Sequence, residues 1–182
     1  MRLFLKLIPF AASILALLPQ VAGAQNVSPL DNAPLDSGWQ IDPYGMRHYT
    51  GLVCRDRLGM LTRVKVLPGG MDTIAGCIYT TPQGIHAALR SHAKGASAGV
   101  ATNFAKRFSD SGFKRVKTTG ATASGLTFAT GERETGTRCE TLWRFAGKER
   151  DYTLWMAYTL PVQESEIGPI VATIIEEIAK RD

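Results

Sequence analysis

The sequence predicts an α+β fold, an antiparallel sheet carrying two main helices in a layered sandwich. Three observations predict it. Apolar positions fall mainly in short β-like runs closed by turn residues, only two segments carry a helical period, and the element order is β-β-β-β-α-β-β-β-β-α. Strands therefore follow strands in meanders, and a doubly wound nucleotide-binding fold, which places helices between strands, is disfavoured. The 182 residues are 45% hydrophobic, 20% charged and 8% aromatic, which excludes collagenous, disordered and disulfide-dense classes and suits one compact domain.

The chain opens with an export signature. In residues 1–24, Arg2 and Lys6 make a positive start, Leu7 to Leu18 form an apolar run, and Ala22-Gly23-Ala24 is a small-residue cleavage site. A spanning helix needs about 20 apolar residues, whereas this run is shorter and is interrupted by Pro9 and Pro19. The expectation is a signal peptide cleaved before Gln25, and a mature protein without a membrane span that is periplasmic or secreted. Residues 25–47 carry Pro29, Pro34 and Pro43 among Asp, Asn, Ser and Gly and show no period, so they read as an extended leader. The domain is expected over residues 48–182.

Within it, Tyr49–Cys54, Leu61–Leu67, Thr73–Thr81 and Ile85–His92 are strand-like, with turns at Pro68-Gly69-Gly70 and Pro82-Gln83-Gly84. In Ser97–Gly112 the pattern becomes helical: Val100, Phe104 and Phe108 recur every four residues, and Gly112 suits the left-handed C-terminal cap. Strand signals resume in Phe113–Thr119, Leu126–Glu134, Thr137–Phe145 and Tyr152–Leu160. The last segment places Ile167, Ile170, Val171, Ile174, Ile175 and Ile178 on one helical face, with Ser165 as N-cap and Pro169 in a tolerant early position.

This element order over residues 48–180 resembles the PsbP-like α/β/α sandwich. Three segments, Gly51-Leu52-Val53-Cys54, Leu61-Thr62-Arg63 and Gly76-Cys77-Ile78-Tyr79, are also similar to a pattern of small exported bacterial proteins. The resemblance implies an accessory role, by docking on a larger assembly. It carries over no site residue.

Three cysteines follow the signal segment, Cys54, Cys77 and Cys139, in an oxidising compartment. One pair and one remainder is the simplest sum. Cys54 ends one strand-like run and Cys77 lies in another, so a Cys54–Cys77 disulfide is expected between neighbouring strands. Cys139 alternates with Thr141, Trp143 and Phe145, which predicts a buried, inert thiol.

Motifs for catalysis and for cofactors are missing. The chain lacks G-x-S-x-G, C-x-x-C and H-E-x-x-H, and its Gly-rich stretch before the first helix lacks the phosphate-loop ending, so neither a cofactor nor a metal is expected. Its histidines are His48, His86 and His92; His48 reads as structural. Glu132 with Glu134, and Glu176 with Glu177, read as solvated faces.

Charge distribution is the positive signal. Residues 86–117 hold seven Lys or Arg against Asp110 alone, while residues 151–182 hold six acids against Lys180 and Arg181. Alternation puts His86, Arg90 and His92 on one face, which continues toward Lys94 and, on the helix, Lys106 and Arg107. Such a face suits an anionic envelope component or an acidic protein partner. Nucleic acid is excluded as a partner by export and by the lack of aromatics among the basic residues. The expected function is non-enzymatic binding at the cell envelope; the alternative is an envelope-acting enzyme with dispersed catalytic residues. Trp143, Trp155, Phe145, Tyr152 and Tyr158 form an aromatic hairpin that reads as core or as an apolar pocket.

Overall fold

A computed structural model describes residues 38–70 and 73–180. The signal segment lies outside them. The chain forms β1 (Trp39–Asp42), β2 (Gly45–His48), β3 (Val53–Arg55), β4 (Arg57–Leu58), β5 (Leu61–Leu67), β6 (Ala75–Thr80) and β7 (His86–Ala93). Helix α1 (Ser97–Asp110) follows, then β8 (Lys114–Arg115), a 3-10 turn over Gly120–Ser124, β9 (Leu126–Arg133), β10 (Gly136–Ala146), β11 (Arg150–Pro161) and helix α2 (Glu164–Ala179).

Two antiparallel sheets result. β1-β2-β3 form one, and the other runs β4-β5-β6-β7-β11-β10-β9-β8. The predicted meanders are the two halves of the larger sheet, and they join where β7 pairs with β11 from His86↔Ala157 to Ala93↔Arg150. On β10, Leu142 belongs to a cluster with Ala101, Phe104, Phe108 and Phe128, whereas the adjacent Trp143 belongs to the cluster holding Leu154, Ile167, Ile170 and Ile174. Neighbouring strand residues point to opposite faces, so α1 packs on one face of the large sheet and α2 on the other. No helix of the described residues is long and apolar enough to cross a membrane.

The stretch read as leader is partly in the fold. β1 and β2 make a hairpin turned at Pro43-Tyr44, where Asp42 accepts the Tyr44 N–H at 3.2 Å and pairs with Arg47 at 2.8 Å. Trp39 is buried and donates its indole N–H to the Leu67 carbonyl at 3.1 Å. A four-residue strand is too short to show a period, and the surrounding Pro and Asp residues mask it. Tertiary docking of Trp39 and Met46 holds the hairpin in place.

Cys54 and Cys77 are bonded, with Cα atoms 5.5 Å apart. They join β3 to β6, so the bridge connects the two sheets instead of neighbouring strands of one. Cys139 is a free, buried thiol. Burial first, and the Glu132 charge second, push its pKa up, which disfavours the reactive thiolate.

Both helices keep their predicted stripes with corrections at the ends. Gly112 takes φ +82° just past α1, as the left-handed cap requires. At the start of α2, Gln163 and not Ser165 is the N-cap residue, and Pro169 falls in the second turn, where it withholds an N–H from the Ser165 carbonyl. Ile175 is 46% exposed, and Glu177, read as solvated, is buried and accepts from Arg55 Nε at 2.9 Å. The predicted strand Phe113–Thr119 contracts to the two residues of β8 at the sheet edge.

Candidate functional site: the groove beside α1

Helix α1 covers the β8–β10 side of its sheet face and leaves a groove along β7 and β11. The space is about 530 Å³, within the roughly 300–1,000 Å³ of small-molecule sites. Its floor is a cross-strand row, Ile78↔Ala88↔Trp155↔Leu142, drawn from β6, β7, β11 and β10. Val100, Asn103, Phe104 and Arg107 form the helix wall, and Arg90, His92 and Thr153 continue the sheet side.

The sequence predicted one continuous basic face; the structure divides its residues. Arg90, His92 and Arg107 line the groove. His86 sits exposed at the start of β7 and lines a separate hollow of about 440 Å³ with Arg133 and Arg138. Lys94 turns away to the Gly147 carbonyl and lies 3.9 Å from Asp151 Oδ1. Lys106 is exposed and pairs with Asp110 one helical turn on, at 2.6 Å.

The groove residues differ in character. His92 is buried, with Nε2 2.8 Å from the Thr153 hydroxyl. Arg107 is exposed and its guanidinium lies 6.0 Å from the Phe108 ring. Arg90 is half-buried, and among the described residues it has neither a carboxylate partner nor a hydrogen-bond partner. Burial lowers its pKa, the expected direction for a cation removed from water. No Asp or Glu lines the groove among the described residues.

Close to the groove mouth, Asp151 anchors the start of α1. Its buried carboxylate accepts Ser97 Oγ at 2.7 Å and Ser97 N–H at 3.2 Å. Burial alone raises its pKa, but the Ser97 hydroxyl and amide, the Lys94 charge and the Gly95 amide outweigh that and hold it below the usual carboxylate value. The result is a helix cap supplied from a strand distant in sequence. Ser97 thus meets the acid directly and His92 meets Thr153, so these four residues do not form a hydroxyl–imidazole–carboxylate relay.

Sequence reasoning missed Ile78, Asn103 and Thr153 as groove residues. Alternation could place Thr153 and Trp155 on one face, but only the non-local β7–β11 pairing brings that face beside Arg90. Among the described residues no cluster of His, Cys, Asp and Glu could hold a metal ion. Comparison with known proteins gives no match to a family model, a curated protein or a solved structure.

Proposed function

We propose that the protein is a non-enzymatic accessory or binding protein of the cell envelope, exported by residues 1–24, that holds an anionic component in the groove beside α1. One observation carries this reading: Arg90 keeps a half-buried positive charge beside an apolar floor, with no ion-pair partner among the described residues and no acid in the groove lining. Partial burial of an unpaired cation costs free energy, held to about 1 kcal/mol or less where solvent still reaches the guanidinium. A bound anion would remove that cost. The two-helix antiparallel arrangement is compatible with a PsbP-like α/β/α sandwich, and the inter-sheet disulfide with a periplasmic or secreted location.

The alternative, an envelope-acting enzyme, draws on His92 lying beside Thr153 and opposite Asp151 across the β7–β11 pair. Against it stands the use of that carboxylate in capping α1. Native mass spectrometry of the protein incubated with envelope extract tests the binding reading. We expect an anionic component retained by the wild type and lost in Arg90→Gln. Equal retention by Arg90→Gln, or no retained component, would overturn the reading.

A further inference from the structure

Resting on the anion-binding reading of the same groove, we propose that its ligand is a single-headed amphipathic anion: one carboxylate or phosphate carried on an apolar body. The row Ile78, Ala88, Trp155 and Leu142 offers an unbroken apolar floor across four strands. Trp155 donates its only polar hydrogen to Glu140 Oε2 at 3.0 Å, so the indole presents ring surface and not a donor to the groove. Phe104 and Val100 continue that surface up the helix wall. An inorganic anion would leave all of it wet.

The acid-free lining carries its two guanidinium groups among neutral polar side chains. Arg90 is the next residue after Ala88 on the same face of β7, and Arg107 reaches in from α1; Asn103 adds an amide. Arg90 supplies a planar fork of donors suited to a carboxylate or phosphate head. The apolar body of the ligand then lies over Ala88 and Trp155.

A polyanion fits less well. The second cationic hollow, around His86, Arg133 and Arg138, lies about 13 Å from Arg90 along β7 at roughly 3.3 Å per residue. The cross-strand row at His86 continues through Ala157 to Glu140 on the same face. A chain of negative charges spanning both sites would pass this carboxylate and be repelled. The charge arrangement therefore favours one head at the Arg90 end.

Titration of the purified protein with monomeric dodecanoate, dodecyl phosphate, dodecyltrimethylammonium, acetate and inorganic phosphate tests the inference, by calorimetry and tryptophan fluorescence. Trp39 and Trp143 are buried, so Trp155 is the reporter, and Trp155→Phe should abolish the fluorescence change. We expect saturable binding of dodecanoate and dodecyl phosphate only, weakened at least about tenfold in Arg90→Gln with unchanged thermal unfolding. Acetate or inorganic phosphate binding as tightly as the dodecyl anions would overturn the amphipathic ligand and leave the anion site standing. Equal binding of dodecyltrimethylammonium would overturn both. Binding to phosphatidylglycerol vesicles without binding of either monomer would overturn the inference, as would no binding at all; loss of the envelope adduct in Arg90→Gln would then still uphold the anion site.

Discussion

The two faces of the large sheet are built to different standards. On the α2 face, Trp143, Leu154 and Met156 are covered by Ile167, Ile170 and Ile174 and by the β1–β2 hairpin, and a disulfide ties the small sheet down. On the α1 face, a smaller cluster around Phe104, Phe108 and Phe128 covers part of the sheet, and the remaining strip carries Arg90 and a half-exposed Trp155. Incomplete cover over an apolar row, next to an unbalanced charge, is a poor way to gain stability. It is a reasonable way to keep a binding surface.

Substitutions can break or sharpen this contrast. The largest effect should come from Ile174→Asp, which puts an unpaired charge at a fully buried position of the α2 face. Circular dichroism should show an unfolded or aggregated protein; a folded variant would mean that this face is not the stabilising one. Replacing Cys54 and Cys77 together with Ser should cost roughly 2–4 kcal/mol in denaturant unfolding, because the bridge closes a loop across a separation of 23 residues. A loss below about 1 kcal/mol would show that the small sheet docks without its covalent tie.

Asp151→Asn acts on the α1 face, and its effect should depend on pH. The folded-state pKa of Asp151 is depressed, so its contribution is complete above the unfolded value of 3.8 and disappears as pH falls through the lower folded value. At pH 7 the variant should lose about 1–3 kcal/mol. As pH falls below 3.8 and through the lower folded value, its stability should converge on that of the wild type; a gap that persists below the folded value would assign the effect to shape and not to charge. The smallest effect should be that of Arg90→Gln, within about 1 kcal/mol of wild type without ligand, since it removes no ion pair. A large loss would make Arg90 a structural residue and weaken the contrast between the faces.

What the sequence made legible follows the range of the interactions. The stripe Val100, Phe104, Phe108 and the isoleucine stripe of α2 are local periodic patterns, and both mark the observed helices. The runs that became β5, β6, β7, β9, β10 and β11 are long enough to alternate or to be bounded by turns, and the Cys54–Cys77 pairing follows from them. Trp39 was hidden because its burial depends on Leu67, 28 residues away. Glu177 looked solvated because its partner, Arg55, is 122 residues distant. For the groove, the basic residues were visible, but their division among four places was not. Arg90 and Arg107 share a cavity only because β11 inserts beside β7, and Lys106 is diverted by an acid one turn away on its own helix.

The central claim is that ligand binding belongs to the α1 face. Hydrogen–deuterium exchange of the protein with and without saturating dodecanoate tests it most directly. The account predicts slowed exchange in α1, residues 97–110, and at the adjoining strands β7 and β11, with α2 unchanged. Protection centred on α2, or on the hollow around His86 and Arg138, would contradict it.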